Sequence, residues 1–374
     1  MPRGDITKLA EAHAKSTKMT EYKPVTEGFP PGECLSTGCS ILNLACSGSV
    51  VGGIRKGSLV HIIGDSDTGK SLLALTLLAE ASINPDFKEY QLFKDDTEAA
   101  DRFPIGAMFG KALSERILYP EEDGGGSFLI EDFYFGIHRQ LKSTKGKLVY
   151  ILDSMDGLES HAGMELFETN AELHEKGKTM KQSYGDGKAN KNSQNLRKLK
   201  MAITKSGSIL VIVSQTRDNI DPTTMAEKTH AGGRALKFNA TLQMWLAPRG
   251  KITKTIRGED FQIGTLARVR ISKNHLIGKY LDFELPMYYG YGIDDEQCSL
   301  RWLCGAGSAE HWKLSKGVVT TRGEEGLEKT YNLVELVQEI RTNETLAFSF
   351  KRALQMAWDD LETQLRQPGR YGEQ

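Results

Sequence analysis

Two runs in this chain, Leu148-Val149-Tyr150-Ile151-Leu152-Asp153 and the segment SILVIVSQ that ends at Gln215, are almost continuously apolar. A strand with one face in water alternates apolar and polar residues, so an unbroken apolar run requires a sheet covered on both faces. Shorter β-rich runs (SLVHIIG, EYQLF, LQMWL, ARVRIS, LDFEL) recur along the chain, and helical patterns such as SLLALTLLAEAS lie among them. Strands that alternate with helices form βαβ units and a mainly parallel central sheet, so the expected class is α/β.

The 374 residues suffice for one large core and one or two small appendages. Residues 1–33 read as a helical arm (6–18) followed by a Pro/Gly-rich connector, EGFPPGE. The strand-helix texture occupies 34–300. Beyond it, 301–374 read as a small α+β C-terminal domain with two amphipathic helices, YNLVELVQEI and FSFKRALQMAWDDLETQL. No segment approaches the ~20 apolar residues of a membrane helix, and the first residues lack a secretory apolar stretch. A cytoplasmic protein with no membrane partner is therefore expected. The formal net charge is −1, so any site for a polyanion has to come from local basic segments. Five cysteines (Cys34, Cys39, Cys46, Cys298, Cys304) make an odd set without a C-x-x-C pair and read as reduced packing residues.

One motif names a ligand. Gly64-Asp65-Ser66-Asp67-Thr68-Gly69-Lys70-Ser71 fits G-x-x-x-x-G-K-[ST], with a β run before it and a helical run after it. Glycines let the backbone wrap phosphates, and loop N–H groups with the helix N-terminus supply positive potential. Lys70 is expected at the β- and γ-phosphates of ATP and the Ser71 hydroxyl on Mg²⁺. Asp65 and Asp67 are odd in a loop that holds anions and are expected to point outward. Asp153, ending an apolar strand, fits the acid that holds the Mg²⁺ shell in such a site. Asp96-Thr97-Glu98 follows the strand EYQLFK. Its acids either activate the attacking water or simply favour a helix N-terminus.

Several blocks then converge on one family. Residues 36–45 (STGCSILNLA), 52–57 (GGIRKG) and the phosphate loop resemble the entry to the ATPase core of RecA/RadA-type recombinases. Asp96-Thr97-Glu98 is similar to the acidic motif of the archaeal and eukaryotic branch, which implies that Glu98 is the catalytic base and that Arg102 lies against the adenine. SILVIVSQTR resembles the strand whose last glutamine senses the γ-phosphate, implying that role for Gln215. Gly232-Gly233-Arg234-Ala235-Leu236-Lys237-Phe238 resembles the GG-x-ALKF block that closes the second DNA-binding loop of bacterial RecA. Val269 to Asn274 and Tyr289-Gly290-Tyr291-Gly292-Ile293 resemble the last core strands. Lys273 aligns with a lysine that reaches the γ-phosphate of a neighbouring subunit, and His275 stands where bacterial members carry a second lysine. The resemblance covers about residues 34–295, and the last 70 or so match nothing.

The resemblance implies a DNA-dependent ATPase that binds single- and double-stranded DNA, assembles as a helical filament through its N-terminal arm, and exchanges strands. A RecA-fold mediator or accessory ATPase that binds DNA or partners without strand exchange is the alternative. A hexameric helicase or clock-type ATPase on the same core fits the GG-x-ALKF block less well. The polar stretch 216–231, TRDNIDPTTMAEKTHA, reads as an irregular DNA-binding loop. Arg217 and Lys228 are its phosphate contacts. Ile220 matches the family's base wedge, and Gly232 and Gly233 close the segment. A first loop is expected near 176–192, with lysines including Lys188 around Tyr184, which can stack on a base. Arg197 on the following helix is a further backbone contact.

Overall fold

The computed structural model describes residues 29–98, 103–120, 126–143, 147–179, 181, 188–218, 228–230, 233–307, 312–322 and 328–366. Two compact units arise from this chain. One is Ile54–Ile293; the other joins the chain before Ile54 to the chain after Ile293. Residues 34–53, expected as the start of a core spanning 34–300, therefore group with the C-terminal segment. The expected arm helix at 6–18 lies outside the described residues.

The larger unit is α/β, as the apolar runs require. Its strands are β1 (Leu59–Gly64), β2 (Gln91–Asp96), β3 (Ile117–Leu118), β4 (Leu148–Asp153), β5 (Ile209–Asp218), β6 (Lys228–His230), β7 (Leu242–Ile256), β8 (Glu259–Asn274), β9 (Asp282–Tyr288) and β10 (Gly292–Ile293). They form a ten-stranded sheet in the order β10-β9-β8-β7-β1-β5-β4-β2-β3, with β6 on β5. The centre, β7-β1-β5-β4-β2-β3, is parallel. The edge from β7 to β10 is antiparallel.

Helices cover the sheet by ordinary amphipathic logic. In α4 (Ile130–Ser143) the buried residues are Ile130, Phe133, Tyr134 and Ile137, a helical stripe. Phe133 and Phe93 pack on Tyr150 of β4 at ring-centroid distances of 6.0 and 5.5 Å. The other helices of this unit are α1 (Lys70–Ile83), α2 (Ile105–Phe109), α3 (Lys111–Arg116), α5 (His161–Glu175), α6 (Lys188–Ser206) and α7 (Gly233–Asn239). In α6 the helical spacing seen in KANKNSQNLRKLK is realised, and Leu196, Leu199 and Ile203 are its buried stripe.

Inside the sheet a polar chain crosses four strands. His61 of β1 bonds Ser214 Oγ of β5 (2.9 Å) and Gln243 Nε2 of β7 (3.3 Å), and Gln243 Oε1 accepts from Ser272 of β8 (2.9 Å). Pairing satisfies groups that would otherwise be costly to bury.

Two regions differ from the sequence expectation. The segment 216–231 begins as strand, because β5 continues to Asp218 and pairs antiparallel with β6 (Thr216↔His230, Asp218↔Lys228). The ladder satisfies backbone groups that a loop would leave to water. Likewise LQMWL and ARVRIS are only the roots of two long strands, β7 of 15 residues and β8 of 16. Their outer halves are exposed, so no apolar alternation betrays them. The tip pairs Ile256 with Glu259 around Arg257 and Gly258, whose φ of 55° and 87° suit a tight two-residue hairpin turn.

In the smaller unit all eight residues of the helix Ser40–Ser47 are buried. Ser40 donates through N–H and hydroxyl to Asp295 (2.6 and 2.7 Å) at the start of α8 (Asp295–Trp302). The turn-rich stretch after Leu300 forms a three-stranded antiparallel sheet of β11 (Trp312–Ser315), β12 (Val318–Arg322) and β13 (Glu328–Asn332). The two amphipathic helices follow as α9 (Leu333–Thr342) and α10 (Glu344–Leu365), N-capped by Asn332 and Asn343. All five cysteines are free thiols.

Candidate functional site

Parallel strands leave a crevice beyond their carboxyl ends, and chemistry collects there. Register sets which residues meet. Gly64 pairs with Gln215, and Asp96 pairs with Asp153, so four functional positions stand at the ends of four adjacent strands. A cavity of about 970 Å³ lies there, lined among others by Gly69, Lys70, Ser71, Asp96, Glu98 and Asp153. Such a volume suits a nucleotide-sized ligand.

The phosphate loop joins β1 to α1. A Cβ at Gly64 would collide with the Leu246 carbonyl and the Thr68 hydroxyl, so only glycine fits. Gly69, the N-cap of α1, takes φ 84°, which glycine adopts without strain. Lys70 Nζ donates to the Asp65 carbonyl (2.6 Å), and Thr68 Oγ1 donates to the same oxygen (2.8 Å). Burial lowers the Lys70 pKa, and the carboxylates of Asp153, Glu98, Asp65 and Asp156 oppose that shift. Of the two odd acids, Asp67 is exposed but lines the cavity rather than standing apart from it. Asp65 is not free: its carboxylate accepts from the Thr216 hydroxyl of β5.

Glu98 is held in place. Its Oε1 accepts from Ser154 Oγ (2.6 Å) and from Gln215 Nε2 (3.0 Å). Thr97 ties this turn to the end of β4: its N–H donates to Asp153 O (2.8 Å) and its hydroxyl to Ser154 O (2.7 Å). Gln215 N–H donates to Asp156 Oδ2 (2.7 Å). Glu98, Asp153 and Gln215 thus come together with Lys70 and Ser71.

Asp95, the acid just before the Asp96-Thr97-Glu98 motif, is kept from the role of base by geometry. Its carboxylate faces the interior and accepts from Ser127 N–H (2.6 Å), Ser127 Oγ (2.8 Å) and Tyr150 OH (2.6 Å). Burial raises its pKa, and these hydrogen bonds work against the rise. An odd-even register explains it: neighbours along a strand face opposite sides.

Residues that the sequence did not single out complete the site. Ser154 and Asp156 follow Asp153 directly and orient Glu98 and Gln215. Lys251 and Gln262 of the β7–β8 hairpin line the cavity. Gln262 Nε2 also donates to the Tyr289 hydroxyl (2.5 Å). Proximity to Asp153 was a usable signal for the first pair. Nothing local pointed to the second.

The remaining expected residues are distributed as follows. Arg102, Tyr184, Ile220 and Gly232 lie outside the described residues. Lys188 is the first residue of α6, so it stands on a helix rather than in the expected loop. Arg197 is exposed on the same helix. Arg217 and Lys228 lie on the paired strands β5 and β6, and Gly233 opens α7.

Lys273 is far from this group. It pairs with Gln243, which in turn pairs with His61, three residues before Gly64, so it stands toward the amino end of β1. Its Nζ donates to the carbonyls of Lys237 (2.6 Å) and Phe238 (2.9 Å) at the end of α7. Burial, followed by the charges of Lys200 and Lys237, lowers its pKa to about 8. Burial, followed by the charges of Lys273 and Lys200, also lowers the pKa of His275. Among the described residues no helix is long and apolar enough to cross a membrane.

Comparison with known proteins adds a lineage. A family model described as the RecA N-terminal domain matches residues 153–294. "Protein RecA" of one Thermus thermophilus strain is 29% identical over 314 residues, covering 83% of this chain and 84% of its own length. The protein of that name from a second strain of the same species is 30% identical over 262 residues, covering 70% and 68%. "Protein RecA" of Clostridium perfringens is 28% identical over 272 residues, covering 72% and 68%.

Proposed function

The chain belongs to the RecA family, and on that premise we propose that it is an ATP-hydrolysing recombinase that forms a helical filament on single-stranded DNA and exchanges homologous strands. The observation that carries the reading is the Gln215 side chain on Glu98. One residue both touches the carboxylate fit to activate water and leads into the β5–β6 hairpin at the head of the DNA segment.

The chemistry follows from the residues at the cavity. Lys70 and the N-terminus of α1 attract the phosphates of ATP. Mg²⁺ held by Ser71 and Asp153 would neutralise charge that develops on the transferred phosphoryl group. Glu98, oriented by Ser154 and Gln215, takes the proton of the attacking water. Gly64, Asp65, Ser66, Asp67, Thr68 and Gly69 supply the loop around the phosphates, and Arg102 meets the adenine.

Arg217 and Lys228 contact DNA phosphates near the hairpin, Ile220 wedges between bases, and Gly232 and Gly233 let the backbone close. Tyr184, Lys188 and Arg197 make the second DNA contact. Lys273, at the opposite end of β1 from Lys70, acts on the ATP of a neighbouring copy. That role fits an interface that repeats head to tail along a helix.

Electron microscopy with a non-hydrolysable ATP analogue, with and without single-stranded DNA, tests the reading alongside a strand-exchange assay on a labelled duplex. A helical filament with exchange is expected. A closed ring or a monomer overturns it, and filaments without exchange move the protein to the mediator class.

A further inference from the structure

A carboxylate inside a phosphate loop demands an explanation, and Asp65 has one. Its backbone carbonyl accepts from Lys70 Nζ (2.6 Å) and Thr68 Oγ1 (2.8 Å). Its side chain accepts from the Thr216 hydroxyl. The same residue is therefore gripped by the phosphate-loop lysine at one end and by β5 at the other. Thr216 is well placed to pass on a displacement. It follows Gln215 directly, and it is a rung of the β5–β6 ladder, opposite His230. Gly64 and Gln215 are register partners, so Asp65 and Thr216 are the next residues beyond a fixed pair.

We propose that Asp65 is a positioning residue that couples the phosphate loop to the β5–β6 hairpin through Thr216. The inference rests on the reading of that hairpin as the head of the DNA segment. Two physical consequences support it. A hydroxyl–carboxylate bond survives only while loop and strand keep their spacing, so the loop conformation and the ladder bias one another. The bond also gives the Asp65 carboxylate a donor of its own beside Lys70, whose charge that carboxylate supports. Gln215 and Thr216 then give β5 two adjacent links to the nucleotide site, one through Glu98 and one through Asp65.

The test uses the full chain and a labelled oligothymidylate, with fluorescence anisotropy read without nucleotide and at a saturating non-hydrolysable ATP analogue. The quantity of interest is the ratio of the two DNA affinities, because a merely structural lesion would lower both alike. Thr216→Val is expected to reduce the analogue-dependent gain about tenfold, and Thr216→Ser, which keeps the hydroxyl, to retain it. Asp65→Ala added to Thr216→Val should cost nothing further, since the two act through one bond. Retention of the full gain in Thr216→Val, or additive losses in the double variant, overturns the coupling. If the wild-type protein binds DNA equally with and without the analogue, the DNA reading of the hairpin fails first and the coupling with it.

Discussion

Near the two ends of β1 stand lysines of other elements, Lys70 of α1 and Lys273 of β8, in opposite surroundings. At the carboxyl end, Lys70 is buried beneath four carboxylates that hold its charge against desolvation. Toward the amino end, Lys273 has two peptide carbonyls, and burial, followed by its cationic neighbours Lys200 and Lys237, lowers its pKa to about 8. One lysine sits where the fold already supplies the counter-charge. The other sits where an anion from outside would relieve the repulsion, as a polyphosphate held by a second copy would. The contrast agrees with the proposal that Lys273 acts on the ATP of a neighbouring copy: one half of such a site is complete and the other lacks its counter-charge.

The largest expected effect breaks the complete half. Glu98→Gln should lower ATP turnover by roughly 10²-fold or more while nucleotide binding persists, read by phosphate release and by titration with a fluorescent analogue. Turnover at the wild-type rate would remove Glu98 from the chemistry, and Asp95 could not replace it, since Ser127 and Tyr150 hold its carboxylate inward.

A mixing experiment then joins the halves. Lys273→Ala and Glu98→Gln, each inactive alone, are combined on DNA. In an equal mixture about one interface in four pairs an intact Glu98 with an intact Lys273, so turnover should return in part. No recovery, with both variants still assembled on DNA, would leave Lys273 without a role in trans.

The pH dependence sharpens the contrast further. A lysine whose pKa is lowered to about 8 is neutral above that value, so a step that needs its charge is lost as pH rises through it. DNA-stimulated turnover should decline in the wild type at a pH somewhat above 8, because the neighbour's polyphosphate raises the value of about 8 that Lys273 has in the single chain. Lys273→Arg should flatten the decline, because a guanidinium stays charged. A decline that persists unchanged in the arginine variant would assign it to another group.

The smallest effect concerns what lies between the ends. His61→Leu removes the partner of Ser214 and Gln243 from the buried chain across β5, β1 and β7. Leaving those groups unpaired should cost about 1–3 kcal/mol, seen as a lower urea midpoint. If the two ends act independently, the pH profile assigned to Lys273 stays in place in this variant. A displaced profile would mean that the chain through the sheet links them.

What the sequence determined is what burial writes into local order. The unbroken apolar runs LVYILD and SILVIVSQ became β4 and β5 at the sheet centre, and the stripe in α6 faced the core. The phosphate loop could be read because its backbone geometry admits so few residues: Gly64 has no space for a Cβ, and Gly69 needs a positive φ. Gln215 could be placed because SILVIVSQTR resembles the family's strand whose last glutamine senses the γ-phosphate. The tertiary structure decided the rest. The outer half of the β7–β8 hairpin is exposed, so its residues follow no burial pattern and the cavity wall of Lys251 and Gln262 had no local signature. Which acid of Asp95, Asp96 and Glu98 meets Gln215 depended on strand facing and on the Thr97 clamp to β4. The pairing of Asp65 with Thr216 joins residues 151 positions apart. Burial periodicity is a property of neighbours in the chain. The meeting of distant side chains is set by sheet register, which exists only after the strands have paired.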